Sequence, residues 1–329
     1  GCCNTLLAEQ VGMLGRYTEA FFPELVYVRP QGQIEKRDSL EGSAFIDFPV
    51  DQTMIYPDYR RNTAELGKIQ SSIDSVRNDT DITITSVWLK GYASPEGSYA
   101  HNKELAIGRT AALKRYIQQL YRFEGDVITT DYEPEDWAGL RYYVERSNLA
   151  HRAEIVTLID GNLEPDAKEW KIKRDYPMEY SFLLQNCYPA LRHTDYRIAY
   201  TIRSYSDVEE IKRIMCGRPQ KLDLNEFYLA AQEYEPGTDE FTEVFETAVR
   251  MFPDDTIANL NAANAAMRRG DLTSAKRYLA KADDSPEAVY ARGALAIRQK
   301  DYDSARRYLN EAKSLGLEQA GITLEQLEK

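Results

Sequence analysis

The feature that most constrains this chain is a repeat in its C-terminal third. Gly270-Asp271-Leu272, Ala275, Tyr278-Leu279 and Ala282 return thirty residues later as Lys300-Asp301-Tyr302, Ala305, Tyr308-Leu309 and Ala312. A period of this length holds one helical hairpin, which cannot bury its apolar face alone and must stack on a neighbour. The small residues let paired helices approach, and the tyrosines and leucines fill the space between them. A weaker earlier copy places Phe245, Ala248 and Pro253 at the matching positions, so about three hairpins are expected from Leu222 to Gly316.

The spacing is similar to the tetratricopeptide pattern, whose usual period is about 34 residues. The shorter last step predicts a tight turn between hairpins, for which Ser285-Pro286 is suited. This resemblance implies a concave face that binds a peptide or protein partner, or else a rigid cap.

The rest of the chain is too long to belong to the repeats. At 329 residues two domains are the default, because single cores stop growing at about 250 to 300 residues. Ala44–Phe48 reads as a short strand closed by Pro49. A helix follows, with Tyr59, Asn62, Leu66, Ile69, Ile73 and Val76 on one stripe. Ile82–Leu89, rich in β-branched residues and apolar on both faces toward its end, predicts an interior strand covered by helices.

The next helix is expected from about Ser98 to Tyr121, burying Leu105, Ala106, Leu113, Tyr116, Ile117 and Leu120. Further strands are expected at Asp126–Thr130 and Tyr196–Arg203, the latter alternating Ile198, Tyr200 and Ile202 with polar neighbours. Between them, Trp137–Arg146 and His151–Ile159 give helical signals, so the interval reads as a helical insertion at about 134–190.

Gly91-Tyr92-Ala93-Ser94-Pro95-Glu96-Gly97-Ser98, leading into Asn102, Leu105 and Arg109, is the most informative stretch. On a helix, positions 102, 105, 106, 109 and 113 share one side, which turns Arg109 inward with Asn102. An inward guanidinium left alone costs about 3 to 5 kcal/mol, so it needs an internal carboxylate or an anionic ligand. The Gly-bracketed loop ahead of the helix offers backbone N–H groups and the positive end of the helix dipole, which also favour an anion.

These residues resemble the OmpA-like domain. There the second strand runs into Gly-His-Thr-Asp and a further Gly, followed by Asn, Leu-Ser and Arg-Ala on the next helix. Gly91, Gly97, Asn102, Leu105-Ala106 and Arg109-Thr110 keep that register, and the match extends to Phe48, Leu66 and Arg197. The resemblance implies that Arg109 grips a carboxylate of diaminopimelate in a peptidoglycan stem peptide, while an acid in the loop holds the ammonium end. Two departures remove that acid: Ser94 stands where the loop Asp is expected, and Pro49 where Asp follows Phe48. Glu96 and Asp51 are the nearby acids that could replace it. The candidate ligand-binding set is Arg109, Asn102, Ser94, Glu96, Asp51 and Arg197.

Catalysis is not expected. His101, His151 and His193 are dispersed, with no metal-ligand or nucleophile-elbow spacing. Ser94 near His101 lacks the acid and oxyanion turn that a serine hydrolase needs. Glu133-Pro134-Glu135-Asp136 reads as solvated loop surface. No phosphate loop, cofactor motif or metal motif is present. A net charge of -12 opposes nucleic-acid backbones, and no apolar run nears the roughly 20 residues of a membrane span.

Four cysteines, Cys2, Cys3, Cys187 and Cys216, are too scattered for a disulfide scaffold or a zinc site; whether Cys187 and Cys216 form a bridge is left open. The start at Gly1, without a charged-then-apolar leader, implies removal of a targeting segment or a larger upstream region. Cys2 reads either as a lipid-anchor cysteine or as the end of that region.

The expected organisation is α+β followed by all-α. Residues 1–41 form a connector, with a charged linker-like stretch from Gln31 to Glu41. Residues 42–205 form an OmpA-like βαβαββ mixed sheet with helices on one face, residues 206–221 link, and residues 222–329 form the tetratricopeptide-like array. The resemblance, in the version known from Bacteroidetes, implies the periplasmic side of a Gram-negative envelope, associated with the outer membrane. Two functions follow: a wall-binding anchor working through Arg109, or a protein-interaction scaffold that has lost peptidoglycan binding.

Overall fold

The computed structural model describes residues 21–33, 35–49 and 52–328. The expectations for Cys2, Cys3 and Asp51 lie outside these residues. The chain forms two compact units, Glu35–Arg203 on one hand and Gly1–Ile34 with Ser204–Lys329 on the other.

The first unit is α+β. Strand β1 (Lys36–Ala44) leads to helix α1 (Asn62–Arg77), β2 (Ile82–Tyr92), α2 (Tyr99–Tyr121) and β3 (Ile128–Glu133). Five helices follow, α3 (Trp137–Arg146), α4 (Arg152–Asp160), α5 (Pro165–Asp175), α6 (Pro177–Asn186) and the single turn α7 (Tyr188–Leu191), before β4 (Thr194–Ile202). The sheet order is β1-β4-β2-β3, antiparallel except for the β2–β3 pair. Strand β4 is therefore central, and its alternate residues Tyr196, Ile198, Tyr200 and Ile202 are buried.

The first strand differs from expectation. The charged stretch expected as a linker supplies the edge strand β1, while Phe45–Phe48 leaves the sheet. Edge strands tolerate charge because one side faces water, and here Arg37 pairs with Glu35 and Glu41 with Arg197. Phe45 and Asp47 instead give their N–H groups to α1, at 2.9 Å to Glu65 Oε2 and 2.7 Å to Asn62 Oδ1. Helix α1 thus holds this segment beside the sheet.

Leu66, Ile69, Ile73 and Val76 of α1 and Ala106, Leu113 and Ile117 of α2 are buried with Val87, Leu89 and Ile198 of the sheet. Leu120, expected on that face, is 50% exposed. On the opposite face Trp88 is half-buried, with the Arg197 guanidinium 5.7 Å from its ring centroid. The five inserted helices have their own core, in which Leu140, Val144, Ile155, Ile172, Leu183 and Tyr188 are buried.

In the second unit, α8 (Val208–Gly217) precedes α9 (Leu224–Ala231), α10 (Asp239–Met251), α11 (Thr256–Arg269), α12 (Leu272–Leu279), α13 (Pro286–Arg298), α14 (Tyr302–Ser314) and α15 (Glu318–Leu327). Consecutive helices pack against each other from α9 to α15. The short last period does not come from a tight turn. The six residues 280–285 link α12 to α13, and the deficit is taken by α12, 8 residues against 13 in α14. Residues 21–33, expected as part of a connector, form neither helix nor strand and belong to this helical unit.

Candidate functional site

A cavity of about 900 Å³ opens in the α+β unit between the segment after β1, the β2–α2 loop, the N-terminal half of α2 and the end of the inserted helices. Its position follows from three local devices. Asn62, fully buried at the start of α1, donates to the carbonyls of Asp47 and Tyr56, both at 2.9 Å, and so holds the first wall. Gly91 lets α2 lie close on β2: a Cβ there would meet Thr110 Oγ1 at 1.9 Å. Gly97 turns the loop through a φ of 97°, a region costly for other residues, and Ser98 caps α2 by accepting from His101 N.

Arg109 borders the cavity. It is half-buried; its guanidinium lies 5.0 Å from the Phe48 ring centroid and Nε faces the Gln52 carbonyl at 3.4 Å. Four arginines, Arg60, Arg61, Arg109 and Arg192, line the described wall with only two carboxylates, Asp47 and Glu96. Arg60 lies 3.4 Å from Asp47 and Arg192 pairs with Glu96. The lining is therefore cationic, and it attracts anions by the same Coulombic terms that would repel an ammonium group.

The loop that resembles an ammonium-binding site is filled from within. Arg192 Nε donates to the buried Ser94 Oγ at 3.0 Å, and its other end engages Glu96. Glu96 is thus committed to a guanidinium rather than presented as a replacement acid. The helix terminus is also occupied: Tyr99 N–H donates to Asp166 Oδ1 at 2.7 Å, so an acid from α5 takes the place expected for a ligand anion.

Asn102 reaches the cavity wall but its side chain is structural. It is buried and donates to Glu135 Oε1 at 3.0 Å, while Trp137 Nε1 donates to Glu135 Oε2 at 2.8 Å. Burial pushes the Glu135 carboxyl above the ordinary carboxylate range, against those two hydrogen bonds. Glu135 and Asp136, expected as solvated surface, are both buried, and Asp136 caps α3 by accepting from Gly139 N at 2.8 Å.

The structure thus brings Arg109, Asn102, Ser94 and Glu96 to one cavity. Arg197 is elsewhere, on the sheet, bonded to Glu41 at 2.6 Å. The residues that sequence reasoning missed are Arg60, Arg61, Arg192 and Asp166. The two histidines outside the cavity have separate partners, His151 with Glu179 and His193 stacked 4.3 Å from Tyr92. Among the described residues, no group of His, Cys, Asp and Glu is placed to hold a metal ion, and no helix is long and apolar enough to cross a membrane. Cys187 and Cys216 are free thiols.

In the helical unit the two echoed copies carry the same local geometry. Asp271 and Asp301 cap α12 and α14 by accepting from Ser274 N and Ser304 N. Gly270 and Lys300, one residue before each cap, both take positive φ, 93° and 62°. Ala275 and Ala305, then Leu279 and Leu309, are buried at matching positions. Residues 243–282 match the tetratricopeptide repeat family model.

The tetratricopeptide match spans most of α10, all of α11 and α12 and the turn beyond, so it falls on the hairpins themselves. A search of the curated proteins returned no match. Close packing of the next helix pair also accounts for Gly293, whose Cβ would meet the Leu309 side chain at 3.1 Å across α13 and α14.

Proposed function

We propose that this chain is a non-catalytic binding protein of the cell envelope, in which the α+β unit is an OmpA-like module that takes a carboxylate-bearing ligand of the peptidoglycan-stem type beside Arg109. The observation that carries this reading is the cationic cavity, bordered by Arg109 and lined, among the described residues, by two more arginines than carboxylates. With Arg192 over Ser94 and Glu96, the module recognises the anionic end of the ligand and not an ammonium group. The tetratricopeptide match supports a protein–protein interaction role for the helical unit. The OmpA-like reading carries with it a periplasmic placement, associated with the outer membrane of a Gram-negative envelope.

Isothermal titration with a diaminopimelate-containing muropeptide tests this. Binding is expected, and Arg109→Ala should weaken it by roughly 10- to 100-fold, the worth of one charge-assisted hydrogen-bonding group. Acetylating the free amine of diaminopimelate should change the affinity by no more than about 3-fold, roughly 0.6 kcal/mol. Absence of heat with the wild type refutes the reading.

A second reading has its own observation. Asp166 already supplies an anion at the start of α2, as in a module that has lost its ligand and serves as a scaffold. Sedimentation with purified sacculi separates the two, because only the wall-binding protein co-sediments and loses this with Arg109→Ala.

A further inference from the structure

Residues 22–30 run along the helical array without helix or strand of their own, and side chains of the array read their backbone. Asn261 grips Val28 twice: Val28 N–H donates to Oδ1 at 2.9 Å and Nδ2 donates to the Val28 carbonyl at 2.7 Å. Asn264, one turn along α11, donates from Nδ2 to the Val26 carbonyl at 2.7 Å. Tyr290 of α13 donates from its hydroxyl to the Glu24 carbonyl at 2.6 Å. The residues read are 24, 26 and 28. In an extended chain such alternate residues turn their backbone groups to one edge, as they would toward a neighbouring strand. The array thus supplies, from side chains, one edge of a β-ladder.

The side chains of the segment fit separate places. Leu25 and Val28 pack on the core around Leu260 and Ala263, and Val26 on that around Ile297 and Leu309. Tyr27 stacks on Phe245 and meets Phe241 edge-on, with ring centroids 5.4 and 5.1 Å away. Arg268 and Arg298 lie over Phe22, 5.3 and 4.7 Å from its ring. This combination of main-chain bonds for affinity and alternate pockets for selectivity is how proteins bind extended peptides.

The fit leaves two polar atoms at the seam unsatisfied. Tyr27 Oη and Asn264 Oδ1 are buried without a hydrogen-bond partner among the described residues. Unpaired buried polar atoms disfavour the docked state. Asn264 makes half of the two-way grip that Asn261 completes.

We propose that residues 22–30 are an intramolecular ligand of the tetratricopeptide groove, so that the array is closed to an external extended peptide until this segment is displaced. The inference rests on the reading of the array as a protein-interaction module and adds that its groove is self-occupied. A tethered segment sees its site at an effective concentration of order 1 mM, so for a peptide with an intrinsic Kd of ~10 µM closure weakens external binding ~100-fold.

The test uses the full chain and a fluorescent peptide with the sequence of residues 21–33. The variant Leu25→Ser/Tyr27→Ser removes the segment's own anchors and leaves every groove residue intact. The peptide should bind this opened variant about 100-fold more tightly than the wild type, and Asn261→Ala/Asn264→Ala in the opened variant should abolish binding. A peptide with proline in place of Val28, lacking the N–H that Asn261 receives, should not bind.

Equal binding to wild type and opened variant, or no binding to an opened variant with native helical circular dichroism, overturns the proposal. Hydrogen exchange on Asn261→Ala/Asn264→Ala gives an independent reading. Protection should fall within residues 22–30 alone, and its loss across α11–α13 as well would make the segment part of the repeat core. Peptide binding to the opened variant stands even if no external partner engages the array, so the two readings fail separately.

Discussion

Replacing Gly91 by alanine should destabilise the α+β unit by about 2 to 4 kcal/mol, the sum of an overpacking cost and a lost hydrogen bond. The added Cβ would stand 1.9 Å from Thr110 Oγ1, 3.2 Å from the Ala106 carbonyl and 3.3 Å from Thr110 Cβ, where ordinary contact begins at 3.4 Å. Thr110 can relieve the worst clash by rotating its hydroxyl, but that forfeits its 2.7 Å bond to the Ala106 carbonyl. If it does not rotate, α2 must lift from β2 and carry Arg109 with it. A glycine inside a strand otherwise costs about 0.5 to 1 kcal/mol relative to alanine. Its presence here is therefore explained by this one approach.

The assay is urea unfolding followed by tryptophan fluorescence. Trp88, Trp137 and Trp170 are the only tryptophans and all lie within Glu35–Arg203, so the signal reports that unit alone. With a slope of about 2 kcal/mol/M, the midpoint should fall by roughly 1 to 2 M. In a Thr110→Ala background the offending hydroxyl is gone while the contacts at 3.2 and 3.3 Å remain, so Gly91→Ala should cost only about 1 kcal/mol, giving a coupling of about 1 to 3 kcal/mol. An equal cost in both backgrounds would refute the close-approach explanation.

Lys300→Gly should stabilise the helical unit by roughly 0.5 to 1 kcal/mol, because Lys300 occupies the left-handed position that Gly270 fills in the preceding repeat; a thermal melt that moves down would contradict this. His151 is raised above its ordinary 6.5 by its hydrogen bond to Glu179, and Glu179 is lowered below 4.5 by the same bond. The histidine's contribution is complete below pH 6.5 and fades as pH rises through its folded value; that of the glutamate is complete above pH 4.5 and fades on acidification. The stability difference between wild type and His151→Gln should therefore peak between these values and shrink by pH 8.5, as urea midpoints across pH would register. Cys187 is buried and its thiol is pushed up by burial, whereas Cys216 is exposed. Brief maleimide treatment followed by peptide mapping should modify Cys216 well before Cys187.

The long periodic elements were legible because each carries its own signal. Helix α2 and strand β2 follow directly from their spacing, and the echoed Asp271 and Asp301 fall at matching caps. Strand β1 was not legible, since an edge strand facing water has the composition of a linker. The cavity was half legible. Arg109 and the loop ahead of α2 lie close in sequence, but Arg192 and Asp166 come from 98 and 67 residues beyond the groups they contact. No local pattern announces an acid or a guanidinium delivered from an inserted helix. For the segment 22–30 a signal was present: Asn261 and Asn264, two amides on one face of an apolar helix, are costly there unless they bind something.

Arg192 belongs to neither the sheet nor the loop that resembles a ligand site; it comes from the turn between the last inserted helix and β4. Part of the positive charge in the hollow is consequently supplied from the helical insertion, where changes of length cost little. A relative with a shorter arm at this one position would give Glu96 back to the opening and leave three arginines against two carboxylates on the described wall, a weaker hold on anions. Diversification could then proceed by editing the excursion alone, with the strands and the helix carrying Arg109 left as they are.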